Sequence, residues 1–316
     1  METPHRDNPL LGITLMSAFC VVAPCADAVV KILGAEMTSA MILLFRFALQ
    51  ALLLLPLAIL LRKPWPARGR PMRLTLLRTV LHMGGVYFMI VSLRYLPLAD
   101  AIAIAFVMPF LTLIAGRLFL NEEIGPRRIA AVAVGFAGTL LVIQPSFAAV
   151  GLPALLPLLV AVNFTAFSLV TRQVARATDP IAMQALSGIM ATVILLPVLL
   201  IGSAFGVEEL ALDIPPGQLW GLVLLTGIFG SFGHLLMTWS LRYAPASTLA
   251  PMQYLELPVT ALVGWLVFRE FPNGLALVGI AIIIGAGLYI ILRERAIARA
   301  GSATPLPHPP SPPPAL

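Results

Sequence analysis

The chain has 316 residues, of which 59% are hydrophobic and 11% charged, with a mean hydropathy of +0.98 and a net charge of +6. A domain folded in water must cover its surface with polar groups, so this composition excludes an ordinary soluble protein. The basic excess would point to nucleic acid in a soluble chain, but here the basic residues cluster between long apolar runs, and no nucleic-acid partner is expected.

Residues 1–9 are polar and read as a cytoplasmic N-terminal tail. The apolar run that follows, near 10–31, has small residues in AFCVVAPCADA that imitate a signal-peptide cleavage site. More runs of similar length follow it, so it reads as a first membrane span with the bilayer as partner. A hydrocarbon core about 30 Å thick needs roughly 20 apolar helical residues. Such runs recur near 38–61, 74–93, 98–118, 128–144, 152–171, 181–201, 219–240, 247–268 and 275–292, giving ten spans in all. The breaks KPWPARGRP, EEIGPRR, QPS, ATDP and DIPPG carry turn chemistry. Cys20 and Cys25 are five apart in one helical run and point in different directions, which argues against a disulfide or a shared metal. The end, ATPLPHPPSPPPAL, is too proline-rich for a helix; residues 293–316 read as an extended cytoplasmic tail.

With the amino terminus inside, the inner segments hold fifteen of the twenty Lys and Arg residues, including Arg62, Lys63, Arg68, Arg70 and Arg73 in one loop. The outer segments hold Lys31, Arg94 and Arg269, and Arg46 and Arg78 lie within spans. Retention of basic loops on the cytoplasmic side places both termini there.

The hexapeptide SLRYLP at 92–97 returns as SLRYAP at 240–245. At the same offset of 148, Thr112, Gly116, Leu118 and Glu122 meet Thr260, Gly264, Leu266 and Glu270. A second offset of 141 pairs KILGAEMTSA with RQVARATDPI and Pro56 with Pro197. The chain thus divides into a first repeat over 10–144 and a second over 152–292. Each holds five spans, an odd number, so the second copy enters the membrane from the opposite face. Inverted repeats build a site near the midplane that opens alternately to either side. A symmetric, non-transporting scaffold is the rival reading.

SLRYLPLADAIAIAFVMPF, GRLFLNEEIGPRR and GWLVFREFPNG resemble the EamA-type transporters of the drug/metabolite transporter superfamily, and the likeness covers 10–292. The resemblance implies an all-α integral membrane protein of ten transmembrane helices in two inverted five-helix repeats, sited in the bacterial inner membrane and moving small metabolites without ATP. The run after span 3 looks most like the branch of riboflavin or S-adenosylmethionine uptake carriers. Asn121 and Arg269 stand where the family usually has glycine before its glutamate, which bears on the geometry of those loops.

No GxxxxGK[ST] phosphate loop, metal cluster or Ser/His/Asp spacing is present, so neither an enzyme nor a cofactor is expected. GIFGSFGH at 227–234 has glycine at every third position inside an apolar span, which suits close helix packing. The sequence leaves a homo-oligomer open.

Ionisable groups within a span are costly and so are candidates for function. Glu256 ranks first: it lies in span 9, two residues before Pro258, whose ring removes a helical hydrogen bond, and it is suited to bind a cationic group or release a proton. Its mirror position is Met108, beside Pro109. Arg46 in span 2 suits an anionic or carbonyl-rich ligand, or pairing with Asp27. Asp27 and Lys31, four apart in span 1, are expected to pair locally. Arg78 is expected to anchor at the interface by extending its head outward. His82 and His234 suit proton carriage or a helix-interface hydrogen bond. Phe106 and Tyr254, at mirrored depths, are spaced to sandwich a flat ligand. Asp100, Asn163 and Gln184 are further polar candidates, and Glu122 and Glu270 read as partners for nearby arginines. A small, ring-containing substrate would then sit between spans 1, 3, 4, 6, 8 and 9, with riboflavin uptake the first expectation. Export of amino acids or drugs, or S-adenosylmethionine carriage, is the alternative.

Overall fold

A computed structural model describes residues 8–66, 68–120, 126–175, 178–212, 214–244 and 249–302, and these contain helices and connecting turns but no strand. Residues 121–125, with Glu122 and Asn121, and the proline-rich segment 303–316 lie outside them. The helices are α1 (Pro9–Leu33), α2 (Ser39–Leu60), α3 (Arg70–Leu93), α4 (Leu98–Ala105), α5 (Met108–Leu120), α6 (Pro126–Val150), α7 (Leu156–Ala175), α8 (Pro180–Ala204), α9 (Trp220–Tyr243), α10 (Glu256–Val263) and α11 (Gly274–Ser302). Seven described stretches are long and apolar enough to cross a membrane; Leu98–Thr112, Met252–Phe268 and Gly274–Ala286 are shorter apolar helices. These are the helices of a multi-pass membrane protein.

Local chemistry sets the ends. Asn8 caps α1 by accepting from the Leu11 N–H, with Pro9 at the first helical position, and Thr38 caps α2 by accepting from Met41. Asp179 caps α8 by accepting from the Ile181 and Ala182 N–H groups, satisfying donors that have no partner within the helix. The fourth expected span is two helices, α4 and α5, broken at Phe106–Val107 just before Pro109, whose nitrogen has no hydrogen to donate. The ninth is also interrupted: a 3-10 segment over Ala250–Leu255 leads into α10, and Gly264–Phe268 closes it with a wider π-type turn. The interruption precedes Glu256 instead of following from Pro258. Pro258 lies in the first turn of α10, where no intrahelical N–H bond is required, so its ring removes none there.

Four helix pairs tie residues before 150 to residues after 152: α1 with α9, α2 with α8, α3 with α7, and α6 with α11. All four run antiparallel. Gly12 backs onto Ala244 while Phe19 and Val22 face Gly233; Phe47 and Ala51 meet Gly188 while Gln50 reaches the Gln184 carbonyl at 2.7 Å. Arg78 meets Thr171 while Gly84 faces Asn163, and Gly135 faces Ala286 while Gly138 faces Gly279. In each pair, rising numbers on one helix meet falling numbers on the other. One end of the bundle, called here the terminal end, holds the start of α1 and the loop before α3; the other holds Lys31.

The α6–α11 crossing depends on two bare backbones. A Cβ on Gly138 would come within 2.8 Å of the Gly279 carbonyl oxygen, and one on Gly279 within 2.5 Å of the Gly138 oxygen. Gly138→Leu must therefore separate the helices, and thermal unfolding in detergent should show a loss of about 1–3 kcal/mol, as for an overpacked core. Arg269, where the family resemblance expects glycine, adopts φ +58° in the left-handed region. Arg269→Gly should accordingly raise stability by up to about 1 kcal/mol in the same assay.

Candidate functional site

At mid-depth, the cross-paired helices leave a cavity of about 110 Å³. Its wall combines Asp27 (α1), Arg46 (α2), His82 (α3) and Phe106 with Phe164 and Phe167 (α7), His234 (α9) and Glu256 (α10). Of the candidates read from the sequence, Glu256, Arg46, His82, His234 and Phe106 thus converge. The cavity is smaller than the roughly 300–1,000 Å³ of a pocket that encloses a drug-sized ligand.

Arg46 reaches the cavity across α9. Gly227, Gly230 and Gly233 present a bare stripe on which Leu49, Arg46 and Phe19 lie, and a Cβ on Gly230 would stand 2.8 Å from the guanidinium carbon. The glycine repeat in GIFGSFGH is therefore a packing surface, and its middle glycine makes room for a charge. Arg46 is 6% exposed, its Nε has no hydrogen-bond partner, and no carboxylate oxygen lies within 4 Å of it among the described residues. Asp27 lies within electrostatic range of both Arg46 and Glu256. Both carboxylates are half-buried with their exposure on the cavity. One cation and two acids therefore surround an apolar space without closing on one another.

His82 and His234 meet Nε2 to Nε2 at 2.9 Å across the α3–α9 interface, between the rings of Phe47 and Phe167. Each neutral imidazole carries one hydrogen, so whichever ring donates across the contact is left with an acceptor at Nδ1 while the other keeps its hydrogen there. Both Nδ1 atoms are buried and unpartnered. The pair always offers one donor and one acceptor, and reversing one reverses the other.

The remaining candidates lie elsewhere. Tyr254 packs on Phe106 with ring centroids 5.6 Å apart, too close for a flat ligand between them, which takes about 7 Å; the expected sandwich is absent in this conformation. Asp100 is buried and accepts from Ser146 at 3.0 Å, and Asn163 donates to the Leu159 carbonyl. Two further expectations are corrected. Lys31 does not pair with Asp27: it reaches Glu270 at 2.7 Å and the Leu96 carbonyl at 3.3 Å, because the turn after α10 brings Glu270 beside it. Arg78 does not extend to the interface. It is 0% exposed and donates to Thr171 at 2.9 Å, Ser187 at 3.0 Å, Thr238 at 3.4 Å and Gln184 at 3.5 Å, with Phe167 beneath it at 4.6 Å. Those acceptors arrive from α7, α8 and α9, far away in sequence, and satisfy the guanidinium without leaving the bundle. Sequence reasoning did not single out Phe164, Phe167 or Phe229 as cavity lining, since an isolated phenylalanine in an apolar run carries no signal.

The profile of the EamA-like transporter family matches residues 10–144 and again 151–293. A riboflavin transporter of Rhizobium johnstonii is 33% identical over 222 residues, 69% of this chain and 70% of the relative. An S-adenosylmethionine uptake transporter of Rickettsia felis is 29% identical over 286 residues, 90% of this chain and 94% of the relative. The pseudopaline exporter CntI of Pseudomonas aeruginosa is 28% identical over 286 residues, 89% and 94% respectively.

The buried and half-exposed charges differ in what their loss should cost. Lys31→Gln removes an ion pair open to water and should change thermal stability by less than about 1 kcal/mol. Arg78→Met leaves the Thr171 and Ser187 hydroxyls without their buried partner and should cost about 1–3 kcal/mol. Equal losses in thermal unfolding would contradict the contrast.

Proposed function

Because the chain belongs to the EamA-like transporter family, we propose that it is a secondary carrier of a small, ring-containing metabolite in the bacterial inner membrane, with riboflavin uptake as the leading reading. Its ten spans would form two inverted five-helix halves with both termini cytoplasmic. The repeated family match over 10–144 and 151–293, the antiparallel pairing of helices across the two segments, and the basic loops at the terminal end support that arrangement.

The observation that carries the proposal is the cavity between the two matched segments. One supplies Asp27, Arg46 and His82; the other supplies Phe164, His234 and Glu256. A site divided between two halves that share only non-covalent contacts opens when one half rocks against the other, and the ligand is then exposed to one side at a time. Phenylalanine rings offer flat apolar area, Arg46 faces carbonyl or anionic acceptors, and the two carboxylates face hydroxyl or ammonium donors. A flavin, with a carbonyl-bearing ring system and a polyhydroxyl chain, satisfies each of these. The sequence contains no GxxxxGK[ST] phosphate loop, and movement would follow gradients.

A second reading comes from the same three charges. S-adenosylmethionine carries a sulfonium, an ammonium and a carboxylate beside a flat base, which also matches two acids facing one arginine, and the Rickettsia felis relative bears that name. The exporter among the relatives leaves the direction of flux to experiment.

Purified protein in liposomes should take up radiolabelled riboflavin where empty liposomes do not, and riboflavin at 100 times its dissociation constant should add about 2.7 kcal/mol of stability. Uptake of S-adenosylmethionine with no flavin flux would move the substrate to the second reading. Gly230→Ala should lower flux on the order of tenfold by displacing the Arg46 guanidinium, equivalent to about 1.4 kcal/mol. Its unfolding temperature should stay close to the parent's, because the clash falls on the free end of a flexible side chain.

A further inference from the structure

What lies beyond the two ends of the cavity differs in thickness and chemistry. At the Lys31 end, a vestibule of about 1010 Å³ opens between the ends of α1, α2 and α3 and the segment after α8; Lys31, Glu36, Leu93, Arg94, Glu208 and Glu209 line it. Its floor at Lys31 and Leu93 lies within one turn of the cavity ceiling at Val30 and Ile90. Along α1 and α3, then, only a thin layer lies between the two spaces.

That layer is held by charges already in touch with water. Lys31 and Glu270 are 14% and 34% exposed, and Glu270 also accepts from the Leu98 N–H at 3.3 Å, joining the end of α1, the start of α4 and the turn after α10. Glu209 holds the rim: it pairs with Arg94 at 3.2 Å and accepts from the Ser39 N–H at the start of α2 at 3.0 Å. Below the cavity the closure is deep and dry. The Arg78 network joins α3 to α7, α8 and α9, and Gln50 joins α2 to Gln184. Further toward the terminal end, Thr75, Val174, Ala175 and Leu241 are all buried.

Resting on the carrier reading above, we infer that the Lys31–Glu270 pair is the latch of the cavity entrance, that the Arg78 network pins the opposite closure, and that the empty carrier opens first toward the vestibule. Opening at the Lys31 end separates two groups that water already reaches and parts one layer of contacts. Opening at the terminal end withdraws a guanidinium from four buried oxygen partners and floods several turns of packed helix. Under the orientation that the basic loops favour, the resting entrance faces away from the cytoplasm.

Accessibility tests this without knowledge of the substrate. With Cys20 and Cys25 replaced by Ser, a reporter is placed by Gly85→Cys on the cavity wall, where an added Cβ meets only the Asn163 Cβ at 3.6 Å. A second reporter, Ala35→Cys in the vestibule, shows whether intact cells or inverted vesicles expose the Lys31 end to a membrane-impermeant maleimide. Lys31→Gln and Glu270→Gln should each raise labelling of the Gly85→Cys reporter from the vestibule side at least threefold. The exchanged pair, Lys31→Glu with Glu270→Lys, should return it toward the parent rate, and Arg78→Gln should raise labelling from the other side. The inference is overturned if both single variants, at the parent's unfolding temperature, label from the vestibule side at the parent rate, or if labelling rises only from the terminal side. Altered labelling with intact riboflavin flux bears on the latch alone; absent flux with the expected labelling bears on the substrate alone.

Discussion

A charge enclosed in an apolar bundle must be answered by another group within that bundle or by a ligand, because the lipid around it offers nothing. Each intramembrane charge here is answered differently. Arg78 is surrounded by neutral oxygens from three helices, and Asp100 rests on Ser146. Arg46, Asp27 and Glu256 are gathered around one space and left without close partners among the described residues. The contrast separates the charges that hold the helices together from those that face the cavity.

That arrangement follows from how the helices pair. Because α1, α2, α3 and α6 pack on α9, α8, α7 and α11, each antiparallel, several polar contacts in the middle of the bundle cross between the first and second matched segments. The histidine pair, the Gln50–Gln184 contact and the Arg78 network all do so. Relative movement of the two segments must alter all of them together, which links the cavity to both of its closures. Glycines set how closely this is built: Gly138 on Gly279 at one crossing, and Gly230 beneath Arg46 at the other.

Much of the architecture was legible in the chain. Hydropathy located the apolar stretches, the repeated SLRY segments marked two related halves, and the rule that ionisable groups inside spans have work to do brought out Glu256, Arg46, His82 and His234, all on one cavity wall. The errors share a cause. Pairing Lys31 with Asp27 relied on a neighbour along the same helix and sending Arg78 to the interface on its place near that helix's end, whereas the actual partners, Glu270 and Thr171, are 239 and 93 residues away. Glu256 lines the cavity, but the interruption beside it was assigned to Pro258 when it lies in the 3-10 segment before it.

By itself the sequence determined the solvent, the helical class, the internal repetition and which polar side chains lie within the apolar runs, because these follow from composition and spacing along one strand of chain. Only the tertiary structure decided which of those side chains share a space and which satisfy one another. Those outcomes depend on distances between helices more than a hundred residues apart, and no local pattern encodes a distance of that kind.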